Sequence, residues 1–113
     1  MEKIGTHLIV DLFNCGFGVL NDSEALKALL VMAAEEAKGT VLHAYAHQFS
    51  PQGVTAVAVL AESHISIHTY PERGYAALDI FTCGDKAMPE RALALLLKKL
   101  KPKLYDTKTM SRG

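Results

Sequence analysis

Residues 61 to 85 read AESHISIHTYPERGYAALDIFTCGD, and this stretch decides how the rest of the chain is arranged. It brings together three kinds of group that covalent chemistry uses: a hydroxyl at Ser63, imidazoles at His64 and His68, and a thiol at Cys83. The Pro-Glu-Arg-Gly segment in its middle is typical of a turn, and the residues on either side are typical of strands. The stretch therefore predicts a strand–turn–strand unit with a reactive residue near each end.

The flanking segments predict the other elements of a single α+β domain. Four of them have the apolar or β-branched composition of strands: 4–13, 40–49, 54–62 and 103–109. Two have the spacing of amphipathic helices: about 23–38 and 89–100. Residues 14–22 are expected to form a loop, with Asp22 or Ser23 capping the first helix. This order predicts a two-layer sandwich, with a mostly antiparallel sheet and two helices on one face.

The opposite face of that sheet would have no helical cover. The strand at 54–62 is mostly Val and Ala and is expected to be central in the sheet. Four aromatic residues are expected on the uncovered face: Tyr45, Phe49, Tyr75 and Phe81. A self-complementary apolar patch is usually buried by a twofold pair, so the chain is expected to form a homodimer.

The composition excludes several classes of protein. With 113 residues, 12 basic and 12 acidic side chains, the chain predicts one domain with no preference for nucleic acid or an anionic membrane surface. Its only cysteines are Cys15 and Cys83, too few for a disulfide-stapled secreted domain. No apolar run is long enough for a signal peptide or a membrane span. We expect a cytoplasmic protein with reduced thiols.

Ser63 has a possible covalent role that depends on the peptide bond before it. A serine hydroxyl can attack the carbonyl of Glu62, which moves the acyl group from nitrogen to oxygen and forms an ester. A base that removes the serine α-proton then eliminates the ester, and hydrolysis leaves a pyruvoyl group. Such a ketone can form a Schiff base with an amino acid and act as an electron sink. Taken alone, however, a serine between Glu and His is more often an ordinary polar residue of a strand.

Three segments give the chain a specific resemblance to a known family. They are Gly-Thr-His-Leu near the start, His-Gln-Phe-Ser-Pro-Gln-Gly-Val in the middle, and the two halves of the 61–85 stretch, Ala-Glu-Ser-His-Ile-Ser-Ile-His-Thr-Tyr-Pro-Glu and Gly-Tyr-Ala-Ala-Leu-Asp-Ile-Phe-Thr-Cys-Gly. Together they resemble the prokaryotic S-adenosylmethionine decarboxylase proenzymes. These are small pyruvoyl enzymes that make the aminopropyl donor for spermidine, and the resemblance covers nearly the whole chain.

The resemblance implies that the chain cuts itself into two. Cleavage between Glu62 and Ser63 would give chains 1–62 and 63–113, and Ser63 would become the pyruvoyl cofactor. S-adenosylmethionine would be the substrate, and the working unit would be a dimer of cleaved protomers. No metal is implied.

The resemblance also implies roles for five other residues. His68 would be the base in self-cleavage, and Cys83 the proton donor in decarboxylation. Phe49 would stack on the adenine ring, and Glu72 would accept hydrogen bonds from the ribose hydroxyls. The family usually has a serine where this chain has Thr55, which would assist cleavage.

Strand geometry sets a condition on this assignment. Ser63 and His68 have opposite parity in a regular strand, so a bend or bulge near Ser63 is required if they are to meet. Each residue also has a plainer interpretation. The two histidines of the stretch and Ser63 would serve as hydrogen-bonded polar residues, Cys83 as an inert thiol, and Phe49 as core or interface.

Three other functions are compatible with the sequence. The first is a pyruvoyl-dependent arginine or ornithine decarboxylase on the same scaffold. The second is a non-enzymatic metal-binding domain, since imidazole and thiolate suit zinc. Its candidate ligands would be His43, His47, His64, His68 and Cys83. The third is a relative that does not cleave itself and serves as a partner subunit.

Overall fold

The computed structural model describes residues 4–85 and 87–113, and one six-stranded antiparallel sheet organises them. The strands are β1 Gly5–Phe13, β2 Val41–Gln48, β3 Val54–Leu60, β4 Ser63–Tyr70, β5 Tyr75–Cys83 and β6 Leu104–Arg112. Their order across the sheet is β2-β3-β4-β5-β1-β6. The predicted α+β sandwich with an antiparallel sheet is confirmed, and the last strand, β6, lies at an edge of the sheet.

Two long helices pack on one face of this sheet. They are α2, Ser23–Glu36, and α3, Met88–Leu100; a short helix α1, Phe17–Leu20, precedes them. Asp22 caps α2 as predicted, since its Oδ1 accepts the Ala25 N–H at 3.0 Å. The predicted loop 14–22 is wrong in one respect, because it contains α1, whose four residues are too few to produce a helical pattern in the sequence.

The core lies between the helices and the face of the sheet that they cover. Along β5 the buried residues are Ala76, Leu78, Ile80 and Thr82, and the residues between them point to the other face. From α3 the core receives Leu93, Leu96 and Leu100, whereas Leu97 is only partly buried. This alternation is what the period-two pattern of the sequence predicts for a sheet covered on one side.

The opposite side of the sheet, which we call the open face, carries the predicted aromatic residues. Tyr75 and Phe81 alternate with the buried residues of β5, and Tyr45 and Phe49 are about half exposed. Other large apolar residues exposed on this face are Val59, Tyr70, Leu104 and Met110. Among the described residues no helix covers the open face, which presents large apolar side chains together with polar ones.

The middle of the sheet differs slightly from the prediction. Strand β3, predicted to be central, is paired on both sides but lies next to the edge strand β2. The middle positions belong to β4 and β5, the two strands of the 61–85 stretch. They are joined by a 3-10 turn, Pro71–Arg73, and by Gly74, whose φ of +63° is in the left-handed region. The predicted strand–turn–strand unit is confirmed. No described helix is long and apolar enough to cross a membrane.

Candidate active site

Ser63 begins β4 in an unusual backbone conformation. It directly follows Ala61 and Glu62, the two residues that connect β3 to β4, and it pairs with Leu60 across the hairpin. Its φ is +148°, a value that residues with a side chain rarely adopt. Strain of this kind persists only where the surrounding structure imposes it, and it concentrates at functional sites.

The carbonyl group before Ser63 is held by the backbone of Cys83. The Cys83 N–H donates to the Glu62 carbonyl oxygen at 2.9 Å. Ser63 itself pairs with Thr82, the residue before Cys83 on β5. The hydrogen bond polarises the carbonyl that a Ser63 hydroxyl would attack, and it lies where negative charge would develop. Glu62, Ser63 and Cys83 form one cluster, which we call the cleavage end of β4.

The Glu62 side chain fixes this hairpin to the connection between α2 and β2. Glu62 Oε1 accepts the Thr40 N–H at 3.0 Å, and the Ala61 N–H donates to the Thr40 carbonyl at 2.9 Å. A side chain at Gly39 would bring its Cβ to 3.2 Å from the Ala34 carbonyl oxygen and 3.5 Å from Glu62 Oε1. Glycine therefore suits this close approach, and the tether helps to hold the strained residue that follows.

A second cluster lies toward the other end of β4. Thr55 on β3 is directly opposite His68, and its Oγ1 lies 2.9 Å from His68 Nδ1. A hydrogen bond at Nδ1 orients the ring and leaves Nε2 for other partners. Glu72 lies in the 3-10 turn after β4, and Phe49 follows β2 with its ring in edge contact with His47. We call Phe49, Thr55, His68 and Glu72 the binding end.

An open cleft of about 350 Å³ joins the members of the binding end. Four predicted site residues line it together, and Gln52 and Tyr70 line it as well. Neither of these last two was among the site residues predicted from the sequence. Tyr70 shares strand parity with His68, so parity would have found it, whereas nothing in the sequence marks Gln52.

The two ends do not meet within one protomer. Ser63 and His68 are five positions apart on β4, and the pairing of β4 is continuous with both β3 and β5. The bend or bulge that a direct contact would require is therefore missing. At about 3.3 Å per residue, the two residues are roughly 16 Å apart. His68 and the Cys83 of β5 thus lie on the open face, whereas Ser63 stands at the start of β4 in the register of the buried Ile65 and Ile67, and the two clusters are separated along the strand.

Polar pairs occupy the open face between and beside the clusters. His7 Nε2 lies 3.0 Å from Asp79 Oδ1, and the Tyr75 hydroxyl donates to Asp11 Oδ1 at 2.5 Å. The hydrogen bond to Asp11, with burial as a smaller cause, raises the pKa of Tyr75 to about 12. Burial also raises the pKa of Cys15, which agrees with an inert structural thiol there.

The geometry does not support the metal-binding alternative. Among residues 4–85 and 87–113, no three His, Cys, Asp or Glu side chains lie close enough to hold a metal ion together. The proposed ligands are divided between the two ends: His47 contacts Phe49, and His64 contacts Phe81, which is opposite it on β5.

The fold and the two clusters describe a small α+β domain with a strained serine at a hairpin and a thiol and an imidazole on one open sheet face. Residues 6–113 match the family model described as S-adenosylmethionine decarboxylase, so the chain belongs to this family. The resemblance inferred from the 61–85 stretch is confirmed.

Curated relatives and solved structures agree with this assignment. A Prochlorococcus marinus protein named S-adenosylmethionine decarboxylase proenzyme is 49% identical over 96% of this chain and 87% of its own length. A Brevibacillus brevis protein of the same name is 50% identical over 99% of this chain and 84% of its own. The crystal structure of the Aquifex aeolicus adenosylmethionine decarboxylase superposes with a TM-score of 0.95 at 37% identity, covering 100% of this chain and 93% of that one.

Proposed function

We propose that this chain is a proenzyme that cleaves itself between Glu62 and Ser63 and then decarboxylates S-adenosylmethionine through a pyruvoyl group formed at Ser63. Membership of the family supports the reaction. The observation that carries the proposal is the coincidence of two features at one peptide bond. Ser63 has a strained φ of +148°, and the adjoining Glu62 carbonyl accepts the Cys83 N–H at 2.9 Å.

Both features favour attack of the Ser63 hydroxyl on the Glu62 carbonyl carbon. The strained backbone raises the energy of the intact peptide bond relative to the ester that replaces it. The Cys83 N–H stabilises the negative charge that develops on the Glu62 oxygen, as one donor of an oxyanion hole. The Glu62–Thr40 hydrogen bond holds the acyl side of the bond in place. The side chain of Glu62 thus positions the hairpin without entering the chemistry.

The second step requires a base, and His68 of the same protomer is too distant. Removal of the Ser63 α-proton breaks the bond between Ser63 Cβ and the ester oxygen, which releases Glu62 as a carboxylate. Tautomerisation and hydrolysis then give the pyruvoyl group and ammonia. A base separated by roughly 16 Å cannot reach that proton. We therefore propose that His68 acts on Ser63 of a second protomer.

A homodimer across the open face satisfies this requirement. If two copies pack face to face about a twofold axis perpendicular to β4, the cleavage end of each lies over the binding end of the other. The open face offers the apolar surface for this contact, with Tyr45 at 55%, Leu104 at 60% and Met110 at 51% exposure. Large apolar side chains that are exposed together on one face are typical of an interaction surface. Each dimer would contain two composite sites.

The residues present fit a pyruvoyl group at the cleavage end. Ser63 supplies its atoms, and the continuous pairing of β4 with β5 keeps it next to Cys83 after cleavage. When formed, the group supplies the electron sink that decarboxylation of an amino acid needs. The Cys83 thiol then returns a proton to the α-carbon of the substrate.

The binding end supplies the contacts for the nucleoside. Phe49 offers an aromatic face at the wall of the cleft, and the Glu72 carboxylate is an acceptor suited to ribose hydroxyls. The product, decarboxylated S-adenosylmethionine, is the aminopropyl donor for spermidine.

The test is a cleavage assay followed by a substrate assay. Intact-mass analysis should give chains 1–62 and 63–113, the second lacking a free amino terminus, whereas Ser63→Ala stays whole. The cleaved protein should release carbon dioxide from S-adenosylmethionine and not from arginine or ornithine. An uncleaved wild-type chain after long incubation overturns the processing step. Turnover of arginine or ornithine alone overturns the substrate.

A further inference from the structure

The loop that carries Phe49 is attached to the body of the protein through Asn21. Asn21 directly follows α1. Its Oδ1 accepts two hydrogen bonds, from the Gly53 N–H at 2.9 Å and from Gln48 Nε2 at 3.0 Å. Gln48 Nε2 also donates to the Gly53 carbonyl at 3.1 Å. One amide oxygen thus connects both ends of the loop between β2 and β3.

The same end of α1 is attached to the strand on the other side of the cleft. The Thr69 hydroxyl donates to the Leu20 carbonyl at 2.7 Å and accepts the Val54 N–H at 2.9 Å. Thr69 is buried and lies between His68 and Tyr70 in sequence. Through Leu20 and Asn21, both the loop that carries Phe49 and the strand that carries His68 are therefore bonded to the C-terminal end of α1.

The geometry of the loop makes Asn21 the side chain best placed to fix it. Within the loop the backbone closes on itself, since the Phe49 N–H donates to the Gly53 carbonyl at 2.8 Å. Gly53 has a φ of +108°, and a Cβ there would lie 3.3 Å from the Thr69 carbonyl oxygen and 3.9 Å from Phe49 Cβ. Because the Phe49 N–H is bonded to the Gly53 carbonyl, a shift of Gly53 would also move Phe49 at the wall of the cleft.

We propose that Asn21 is a positioning residue for substrate binding, which holds the Phe49 loop at the distance from His68 and Glu72 that a nucleoside requires. This inference rests on the function proposed above. Asn21 contacts no reacting atom, and its effect passes through Gly53, Gln48 and Phe49. Ordering a binding loop in advance lowers the entropic cost of binding, so its loss weakens ground-state and transition-state binding alike.

The first test compares Asn21→Ala with Asn21→Asp in the cleaved protein. Alanine removes both hydrogen bonds, and KM for S-adenosylmethionine should rise about tenfold while kcat changes less than about twofold. Aspartate keeps the accepting oxygen and should restore KM to within about threefold of wild type. A KM unchanged by alanine, or a kcat that falls as much as KM rises, overturns the inference.

Asp22→Ala is the matched control. It removes a neighbouring oxygen acceptor that caps α2 and does not contact the loop. Its loss destabilises the protein through the helix end. KM should remain at the wild-type value in this variant. If Asp22→Ala raises KM as much as Asn21→Ala does, the effect is one of general stability and the positioning role is wrong.

Hydrogen exchange separates this inference from the proposed function. The Gly53 N–H should be protected in wild type and in Asn21→Asp, and should exchange at least tenfold faster in Asn21→Ala. If the wild-type protein fails to decarboxylate S-adenosylmethionine, the proposed function is wrong. Hydrogen exchange at Gly53 then tests by itself whether Asn21 holds the loop. Equal exchange of the Gly53 N–H in all three proteins overturns it.

Discussion

The two ends of β4 are built in different ways. The cleavage end is formed mainly by backbone groups: the strained φ of Ser63, the peptide N–H of Cys83 and the carbonyl of Glu62. At the binding end the side chains of Phe49 and Glu72 stand around an open cleft of about 350 Å³. The backbone arrangement suits self-cleavage of the chain, and the open cleft suits reversible binding of a ligand.

The distance between the two ends decides whether one chain can form a complete site. Because the pairing register of β4 is continuous, roughly 16 Å of strand separates Ser63 from His68. In the dimer proposed above, each chain supplies two half-sites, and the second copy completes both. Substitutions at the two ends should therefore affect cleavage and decarboxylation to different degrees.

The largest expected difference between cleavage and decarboxylation is at Cys83, because its backbone N–H serves the first step and its thiol the second. Cys83→Ala keeps the N–H that contacts the Glu62 carbonyl, so cleavage should proceed. It loses the proton donor, so decarboxylation should fall about a hundredfold to ten thousandfold. Intact mass and carbon dioxide release measure the two steps, with Cys15→Ala as the control for the other thiol. Equal loss of both steps would show that the thiol is needed for cleavage or folding.

Thr55 should produce the next largest effect, and on cleavage. Thr55→Val removes the hydroxyl beside His68 Nδ1, leaving the ring without its orienting partner. Cleavage should slow about tenfold to hundredfold, the equivalent of one strong hydrogen bond. Thr55→Ser keeps the hydroxyl and should cleave at close to the wild-type rate. A valine variant that cleaves normally would remove Thr55 from the processing site.

Glu72 should affect only the binding of substrate. Glu72→Gln keeps the shape of the side chain and loses its charge, so KM should rise about tenfold with little change in kcat. Cleavage should be complete, because no step of it uses this carboxylate. Glu35→Gln, on the exposed side of α2, is the matched control and should leave KM unchanged. Slow cleavage in Glu72→Gln would show that this carboxylate also takes part in processing.

The smallest effect concerns the open face beside the binding end. A spectrophotometric titration should find a tyrosine with a pKa of about 12, and Asp11→Asn should lower the pKa of Tyr75 toward its usual value near 10. Since the folded-state pKa is raised, the stability from this pair is complete below about pH 10 and is lost as the pH rises through about 12. An unchanged titration curve in Asp11→Asn would contradict the pairing.

The sequence predicted the sheet and the long helices well because both have a strong period. Alternation in the 61–85 stretch placed Tyr75 and Phe81 on the face opposite the core, and the leucine spacing of 89–100 placed α3 on the other. The short helix α1 has too few residues to show a period. The left-handed φ of +69° falls on Lys38 at the end of α2, before the glycine where composition would place it.

The candidate site was harder to predict, because its residues come from different segments. Parity alone showed that Ser63 and His68 do not share a regular face, but it did not distinguish a local bulge from a second protomer. The continuous register of β4 favours the second protomer. Contacts such as Asn21 with Gly53 depend on tertiary packing between distant loops, which no local pattern records.

The most direct test of two half-sites is complementation between two inactive variants. Ser63→Ala lacks the residue that is cleaved, and His68→Ala lacks the base; each alone should stay intact. When the two are co-expressed, random pairing places about half of the His68→Ala chains in mixed dimers. There, His68 of the partner faces their Ser63, so intact mass should show up to about half of these chains cut into 1–62 and 63–113. If no His68→Ala chain is cut in verified mixed dimers, the site is not shared between protomers and the central claim is wrong.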